Sequence, residues 1–423
     1  MMITKPNEKQ QEVLDCHDSR IAVVALPGSG KTYLLSQKVE QYGLEHPGDH
    51  MVAITFTKKA AAELKNRIKL ITNELEVSTI HSWCYRQLGK LAARYSFRVT
   101  LLEEPAVKDI LQSICRKMKQ YYVNMFQLYS YVMGNYNIDV LESTKKVFER
   151  IQKKYIEVKR QAGLYDFTDL PLYLYDKLTE YRERIDDVDA LFVDEFQDVD
   201  EIQYKLFELV DCSTRFYIGD EAQSIYIFRN CLQDAFGRLE NFTILPLDTN
   251  YRSYQEILDF AVTCREEGLR CLEDKTFYEF IHQDYLDSSD YKCDRGYGGT
   301  VCSINGLGRC FNLVDSEPAD DVLTFKSFLL DKDTQILCRA NSQVKKLQNY
   351  GLKNVSTIHQ AKGLEYKNVI LIGFSITSLE ELNIMYVGMT RAENQLLVAD
   401  YQTVNYILST EQIEIATTTK QLF

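Results

Sequence analysis

The chain has 423 residues, of which 45% are hydrophobic and 26% charged, and its formal net charge is −12. This length allows two or three domains with a sizeable core, and no run of about 18 apolar residues predicts a membrane span. The acidic balance argues against broad, nonspecific coating of nucleic acid, but residues 51–100 hold nine Lys and Arg against three Glu, which is compatible with a local basic groove.

The N-terminal stretch and the cysteines bear on the compartment. The stretch MMITKPNEKQQEVL is too polar for a secretory signal, and the eleven cysteines contain no CxxC pair. We therefore expect reduced thiols in a cytoplasm. Five cysteines cluster in a spacing that matches no zinc or iron–sulfur pattern, so we expect no metal there. They are Cys264, Cys271, Cys293, Cys302 and Cys310.

The first predicted strand leads into a glycine-rich turn. The apolar run RIAVVAL (20–26) is typical of a buried parallel strand, PGSGKT (27–32) follows it directly, and the next stretch, YLLSQKVEQYGL, has helical spacing. Strand, turn and helix in this order are the context that a phosphate-binding loop needs. The loop predicts a bound nucleoside triphosphate, but by itself it fits a kinase, a switch or a motor.

Each residue of this loop can contribute to binding a nucleotide phosphate or its metal ion. Gly28 and Gly30 let backbone N–H groups close around phosphate oxygens, with Ser29 between them. Lys31 supplies a positive charge for the outer phosphates, and Thr32 can place its hydroxyl on Mg²⁺. The N-terminus of the following helix adds the positive end of its dipole.

A second buried run, ALFV (190–193), is followed by Asp194 and Glu195. The carboxyl end of a strand is where an open α/β sheet places its ligands. Asp194 can hold Mg²⁺ directly or through water, and Glu195 can take a proton from an attacking water. The alternative, an acidic helix start, does not explain the apolar strand before it, so we expect nucleotide hydrolysis.

Nine short motifs follow one another along the chain. In order they are PNEKQQEVL (6–14), ALPGSGKT (25–32), ITFTKKAAAELKNRI (54–68), STIHSWCYRQL (78–88), FVDEFQD (192–198), IGDEAQSIYIFR (218–229), LDTNYRS (247–253), VSTIHQAKGLEYKNVILIG (355–373) and MYVGMTRAENQLLV (385–398). This series resembles that of superfamily 1 DNA helicases of the UvrD/Rep/PcrA type. The resemblance implies an α/β fold of two RecA-like P-loop domains with parallel sheets, and the use of ATP with Mg²⁺.

The resemblance also implies an order of domains. The first RecA-like domain, 1A, would comprise residues 1–88 and 183–250, interrupted by a helical 1B-like insertion over 89–182. The second, 2A, would comprise residues 251–423, with strands at QILCRA, VILIGF and QLLVADY. Residues 284–310, which are rich in Gly, Ser and Asp, predict a loop or an irregular insertion.

Further residues around the nucleotide are assigned by the resemblance alone. Gln10 would read adenine, Tyr251 would stack on it and Glu365 would hold the ribose. Gln223 would sense the γ-phosphate and link it to the DNA groove. Arginine fingers neutralise the charge that builds on the transferring phosphoryl group. The resemblance therefore gives a catalytic set of Lys31, Asp194, Glu195, Gln223, Arg252 and Arg391, the last two being the fingers.

Positions that contact single-stranded DNA in the family are aromatic or basic in this chain. They are Phe56, His81, Tyr226, Phe228, Arg229 and His359. Aromatic faces stack on any base, and the basic Lys58 and Lys59 could add phosphate contacts. The sequence does not distinguish DNA from RNA, since both strands offer bases and phosphates.

The chain departs from the family pattern in three places. Tyr33 stands where members usually have Arg, and Phe228 stands where Trp is usual. In UvrD-like helicases a large helical insertion, subdomain 2B, precedes the motif that begins VSTIH; here residues 336–354 run directly into it. The missing 2B implies a minimal motor, or a protein partner that supplies its role.

The leading hypothesis is an ATP-dependent translocase or helicase on single-stranded DNA, moving 3′ to 5′ by resemblance, in the cytoplasm of a bacterium or a phage-infected host and without a membrane partner. One alternative is a nucleic-acid-stimulated ATPase subunit of a repair, recombination or defence complex that does not unwind alone. A catalytically inactive binding module conflicts with the intact catalytic set. A small-molecule kinase is the remaining alternative, which hydrolysis dependent on single strands would exclude.

Overall fold

A computed structural model describes residues 5–69, 74–134, 142–225, 231–232, 234–272, 292–297, 299–304, 327–329, 331–373 and 378–399, with the single residues 401, 404 and 408. Two parallel β-sheets covered by helices organise these residues. The predicted α/β fold class is confirmed. Among the described residues, no helix is long and apolar enough to cross a membrane.

The first sheet has six strands. In chain order they are β1 (Arg20–Ala25), β2 (Met51–Thr55), β3 (Leu75–Thr79), β4 (Ala190–Val193), β5 (Thr214–Gly219) and β6 (Thr243–Leu247). Their order is β3-β2-β4-β5-β1-β6, and every pairing is parallel. The loops after β1, β4 and β5 therefore emerge at the same edge of the sheet, where ligands bind in such folds.

Nine helices belong to this half of the described chain, and six of them pack on the faces of the sheet. They are α1 (Glu8–Asp15), α2 (Lys31–Glu45), α3 (Lys58–Arg67), α4 (Ile80–Tyr95), α5 (Glu104–Lys117), α6 (Met125–Val132), α7 (Glu142–Ala162), α8 (Leu170–Tyr181) and α9 (Glu201–Glu208). Apolar side chains of α1, α2 and α3 form the core on one face, and those of α4, α8 and α9 form it on the other. Both faces are covered, which explains why the strands are continuous apolar runs.

Helices α5, α6 and α7 form a separate small core. Its buried side chains include Leu111, Leu128 and Phe148. This unit covers fewer residues than the predicted insertion over 89–182. Helix α4 continues past residue 88 to Tyr95, and α8 lies inside the predicted insertion and ends at Tyr181. Both helices belong to the core of the first sheet, where Leu91 and Leu174 are buried.

The C-terminal half begins with a two-stranded parallel pair, β7 (Thr249–Asn250) and β8 (Lys292–Cys293). The second sheet follows, with β9 (Thr300–Ile304), β10 (Thr334–Cys338), β11 (Val355–Thr357), β12 (Tyr366–Ile372) and β13 (Ala392–Ala399). Its order is β11-β10-β12-β13-β9, and every pairing is parallel. The three runs predicted as strands are β10, β12 and β13.

The helices of this half are α10 (Gln255–Leu272), α11 (Asn341–Asn349), α12 (Ile358–Ala361) and α13 (Leu379–Met389). Residues 339–354 form α11 and its short connections, so β10 and β11 are neighbouring strands with no domain inserted between them. Of the five clustered cysteines, Cys264 and Cys293 are buried free thiols, and the side chains of Cys271, Cys302 and Cys310 lie outside the described residues.

Candidate active site between the two sheets

The phosphate loop joins β1 to α2 and has the backbone that its glycines allow. Gly28 and Gly30 have φ of 70° and 81°, in the left-handed region that favours glycine. Gly30 is the N-cap of α2 and gives no side-chain cap. The first N–H groups of this 15-residue helix are therefore available to an anion, and the positive end of the helix dipole points the same way.

Gln10 forms a hydrogen bond with the backbone of the phosphate loop. It is 1% exposed, its Nε2 donates to Ser29 O at 2.9 Å, and its Oε1 accepts from Asn7 N at 3.1 Å. Asn7 Oδ1 accepts from Gln10 N at 2.7 Å, which completes a reciprocal cap at the start of α1. Both ends of the Gln10 amide are engaged within the protein, and its predicted contact with adenine stays a prediction.

Asp194 and Glu195 follow β4 and are buried beside the loop. Burial and the neighbouring Glu195 raise the pKa of Asp194 to about 7, against the opposing charge of Lys31. Burial alone would also raise the pKa of Glu195, but Lys31, Lys362 and Arg391, together with a hydrogen bond from Gln197, lower it. Glu195 is therefore held as a carboxylate.

The residues fit a magnesium ion at this point. Mg²⁺ prefers hard oxygen ligands, and the Asp194 carboxylate and the Thr32 hydroxyl both border the cleft. Among the described residues, Asp194 accepts only the N–H of its neighbour Glu195, at 3.0 Å. A buried carboxylate with so little compensation suits a cation.

A chain of hydrogen bonds leads from Glu195 to the second sheet. Gln197 Nε2 donates to Glu195 Oε2 at 2.7 Å, and Gln197 Oε1 accepts from Asp220 N at 2.9 Å. Gln223 Nε2 donates to Asp220 Oδ2 at 2.6 Å, and Arg391 Nη2 donates to Gln223 Oε1 at 3.0 Å. Gln223 is therefore the link between the carboxylate side and the arginine of the second sheet.

Lys362 makes a second connection between the sheets. It follows α12, and its Nζ lies 2.5 Å from Asp198 Oδ2 and 2.9 Å from Gln223 O. The side chains of Lys362 and Asp198 are 8% and 0% exposed. Asn383 of α13 adds a hydrogen bond from its Nδ2 to Ser224 O at 3.0 Å. The segment after β5 is thus held by residues of both halves of the chain.

Arg391 is buried without an ion pair among the described residues. It is 1% exposed, and its guanidinium donates to Val387 O at 3.0 Å, Leu364 O at 3.3 Å and Gln223 Oε1. Burial and the charge of Arg252 lower the pKa of Arg391 to about 9, so it remains positive at neutral pH. The hydrogen-bond acceptors of its guanidinium are neutral, and the charges of Glu195, Asp220 and Glu365 partly oppose the lowering of its pKa.

Arg252 lies between the phosphate loop and the second sheet. Its Nε pairs with Glu365 Oε2 at 3.0 Å, and its Nη1 donates to Thr390 O at 3.1 Å. Its backbone N donates to Asn250 Oδ1 at 2.7 Å. The Arg252 Cβ would lie 2.8 Å from a Cβ added to Gly28. The two predicted arginine fingers therefore flank the loop from the side of the second sheet.

One cleft of about 730 Å³ brings most of the predicted nucleotide residues together. Its lining contains Gly28, Ser29, Gly30, Lys31, Thr32, Asp194, Glu195, Gln223, Tyr251, Arg252, Glu365 and Arg391. The lining also contains Arg295, Lys362 and Glu393, to which the sequence assigned no role, and Tyr33, which the sequence marked only as a departure from the family pattern. Lys362 sat within a quoted motif and could have been found there, whereas Arg295 lies in a stretch interpreted as an irregular loop.

The predicted nucleic-acid residues that are described lie after strand ends. Phe56 follows β2, His81 is in the first turn of α4 after β3, and His359 is in α12 after β11. His81 stacks on Phe167, with ring centroids 5.5 Å apart and planes 14° apart. Phe167, which the sequence did not single out, is 52% exposed. Tyr226, Phe228 and Arg229 lie outside the described residues.

Two family models and one solved structure are similar to this chain. The family model described as UvrD/REP helicase N-terminal domain matches residues 6–243, and that described as UvrD-like helicase C-terminal domain matches residues 354–399. A solved structure titled "The structure of PRRSV helicase" aligns with a TM-score of 0.42 at 14% identity, covering 90% of this chain and 52% of that one.

Three curated relatives illustrate the similarity. DNA helicase II of Escherichia coli (strain K12) is 29% identical over 290 residues, which cover 60% of this chain and 39% of the relative. ATP-dependent DNA helicase PcrA of Staphylococcus epidermidis (strain ATCC 12228) is 30% identical over 300 residues, 62% and 40% of the two chains. ATP-dependent DNA helicase Rep of Buchnera aphidicola subsp. Schizaphis graminum is 23% identical over 377 residues, 82% and 55%. The chain thus spans about half or less of these relatives' lengths. Since one family model covers more than half of the chain, the chain belongs to the UvrD/REP helicase family.

Proposed function

We propose that the chain is an ATP-dependent motor that moves 3′ to 5′ along single-stranded DNA and unwinds the duplex ahead of it. The observation that carries the proposal is the convergence of two groups of side chains on one cleft. Lys31, Asp194 and Glu195 come from the first sheet, and Arg252 and Arg391 lie on the side of the second. This arrangement suits transfer of a γ-phosphoryl group to water, because charge of both signs surrounds the place where charge develops.

ATP binds in the cleft with its phosphates on the glycine-rich loop. The N–H groups at the start of α2 and the Lys31 ammonium hold the β- and γ-phosphates. Tyr251 is tied to the loop, since its N donates to Gly28 O at 2.8 Å, and its ring offers a face for adenine. Glu365 on the other side of the cleft takes the ribose hydroxyls. When bound, Mg²⁺ held by Asp194 and Thr32 neutralises charge on the phosphate oxygens.

Glu195 is the general base. A water oxygen bonds to the γ-phosphorus as the bond from phosphorus to the β–γ bridging oxygen breaks, and the water proton passes to the Glu195 carboxylate. The lowered pKa of Glu195 keeps it ready to accept that proton. Arg252 and Arg391 stabilise the charge on the leaving diphosphate and the transferring group.

The contacts between the sheets couple this reaction to movement. Gln223 touches Arg391 through its side chain and Lys362 through its backbone carbonyl. A change at the γ-phosphate alters what Arg391 binds, and Gln223 and Lys362 pass that change to the segment after β5. The two sheets therefore close and reopen once per ATP, and they shift along the strand as they do so.

Single-stranded DNA runs across the strand ends that carry Phe56, His81 and His359. The stacked pair of His81 and the half-exposed Phe167 offers a face on which a base can stack. Such contacts tolerate any sequence, as a translocating motor requires.

A second candidate is a nucleic-acid-stimulated ATPase subunit that does not unwind alone. The direct connection of β10 to β11 through α11 favours it, because no inserted domain is present there to engage a duplex. A protein partner would then supply that role. Both candidates share the ATPase chemistry and differ only in unwinding.

Steady-state ATP hydrolysis with and without a single-stranded DNA oligonucleotide tests the shared chemistry. We expect strong stimulation by the strand, and a loss of about 10²–10⁴-fold in kcat for Glu195→Gln, the usual contribution of a general base. Glu240→Gln is the matched control, since Glu240 is exposed. No stimulation of the wild-type protein would refute the motor.

A tailed duplex then separates the two candidates. Unwinding of a 3′-tailed but not a 5′-tailed substrate supports the helicase with the proposed direction. Stimulated hydrolysis without unwinding supports the subunit. An RNA oligonucleotide of the same sequence shows whether the 2′-hydroxyl matters.

A further inference from the structure

Residues 292–297 pack against the segment that carries Arg252, although the sequence predicted a loop or an irregular insertion here. Asp294 N donates to Asn250 O at 2.9 Å, and Gln255 N donates to Gly296 O at 2.9 Å. Gln255 Oε1 in turn accepts from Cys293 N at 2.7 Å. Three hydrogen bonds thus fix this short segment to both ends of residues 250–255.

Arg295 is the side chain through which this segment reaches the cleft. Its Nη1 donates to Arg252 O at 2.9 Å and to Glu393 O at 3.2 Å, and its Nη2 donates to Asn394 Oδ1 at 2.9 Å. Its guanidinium lies 3.9 Å from the centroid of the Tyr254 ring. One planar group therefore joins the backbone of Arg252 to the residues that follow Arg391.

The same two segments are joined by smaller contacts. Ser253 Oγ donates to Ala392 O at 2.6 Å, Tyr254 N donates to Glu393 O at 3.2 Å, and Arg252 Nη1 donates to Thr390 O. Arg295 adds three hydrogen bonds to these contacts between residues 252–254 and 390–394. Because the smaller contacts remain when its guanidinium is removed, we expect that removal to loosen the connection without unfolding either sheet.

We propose that Arg295 is a positioning residue that holds Arg252 and Arg391 at a fixed separation, so that both reach the γ-phosphate together when the cleft closes. This inference rests on the proposed ATPase function. Arg295 does not touch the reacting atoms through its assigned bonds; it acts through the backbone of Arg252 and through Glu393, two residues after Arg391.

The geometry requires an arginine. The planar guanidinium of Arg295 is surrounded by two backbone carbonyls, a side-chain amide oxygen and an aromatic face. Its N–H donors point in fixed directions that match these acceptors. A lysine would keep the charge but offer one ammonium in place of the fork. Charge alone is therefore not expected to preserve the separation of the two fingers.

The test measures single-turnover and steady-state ATP hydrolysis with saturating single-stranded DNA for Arg295→Gln and Arg295→Lys. We expect kcat to fall about 10–100-fold in both, because displacements of about 1 Å at the reacting groups cost up to about 10²-fold, while KM for ATP changes by less than about 3-fold. The matched control is Arg270→Gln, which removes an exposed arginine paired with Glu267 on α10. Thermal unfolding of each variant shows whether it is folded.

A double-mutant cycle distinguishes positioning from general support. In an Arg252→Ala background, adding Arg295→Gln is expected to cost less than about 3-fold, because there is no longer a second finger to hold in place. If the fold losses in kcat of the two single variants multiply in the double variant, the proposal is overturned. Full activity of Arg295→Lys, or a loss confined to KM, would also overturn it. A wild-type protein without DNA-stimulated hydrolysis would refute the proposed function itself and this inference with it, whereas an active wild type with unaffected Arg295 variants would refute the inference alone.

Discussion

Glu221 is a buried acid whose ionisation should control the pH dependence of stability. It begins the short turn after β5 that also carries Gln223, and it is 4% exposed. Its Oε1 accepts from Phe236 N at 3.1 Å, and its Oε2 has no partner among the described residues. Burial, followed by the charge of Asp234, raises the pKa of Glu221 from 4.5 to about 8, against the opposing effects of the Phe236 hydrogen bond and of Arg265.

The sign and size of the effect follow from this pKa. Because the folded protein binds the Glu221 proton more tightly than the unfolded chain, stability is highest at low pH and falls as the pH rises toward the folded pKa. Between the unfolded pKa of 4.5 and the folded pKa of about 8 the expected slope is about −1.4 kcal/mol per pH unit, so the loss is at most about 4.8 kcal/mol. Water penetration and local relaxation reduce such energies, and we expect about 1–3 kcal/mol.

Glu221→Gln mimics the protonated acid and keeps an acceptor for Phe236 N. Urea unfolding of the variant and the wild type, from about pH 4 to pH 9, should give similar stability at the acid end, below the unfolded pKa of 4.5. The wild type should then lose about 1–3 kcal/mol more than the variant as the pH rises. The exposed Glu240→Gln should follow the wild-type profile. Parallel profiles of the wild type and Glu221→Gln would refute the reasoning, because they would mean that Glu221 is ionised in the folded protein throughout.

Two further substitutions test the loop and the contact between the sheets. Gly28→Ala should weaken binding of a fluorescent ATP analogue by more than about 10-fold, since the new Cβ would lie 2.8 Å from Asn250 Oδ1; Gly48→Ala, also at positive φ but with nothing within 4 Å, should not. Lys362→Met should lower the free energy of unfolding by about 3–5 kcal/mol, because it removes the ammonium that pairs with the buried Asp198 carboxylate. Adding Asp198→Asn should restore most of that loss, and equal stability of the single and double variants would contradict the expectation.

Much of the nucleotide site could be predicted from the sequence, because its chemistry is local. The phosphate loop and the acidic pair each follow a short apolar run, and a parallel sheet brings the ends of such runs to one edge. The strand order, which places the loop after β1 and the acids after β4 on either side of β5, confirms the fold that this pattern requires. Resemblance to known motifs was needed for Arg252 and Arg391, which no local pattern marks.

Residues that depend on distant partners could not be predicted in this way. Arg295 lies in a stretch of turn-forming residues, and its position follows only from backbone acceptors about 40 and 100 residues away in the chain. Phe167 could not be singled out because its proposed role depends on stacking against His81 of α4, which is distant in the chain. Composition likewise does not show that α4 and α8 pack on the first sheet rather than on α5–α7.

The electrostatics of the cleft give a physical reason for its ligand. Arg391 is a buried cation whose hydrogen-bond acceptors are neutral and whose pKa is lowered to about 9, and Asp194 is a buried acid whose pKa is raised to about 7, so the nearby charges of the folded chain compensate neither one fully. Leaving charges in this state costs stability, and pairing the two directly would close the cleft to any ligand. A triphosphate carrying a divalent cation satisfies both at once, since its anionic oxygens face Arg391 and its cation faces Asp194. Binding such a ligand would offset part of the stability that these two charges cost, and the site would then favour a ligand that carries both signs of charge.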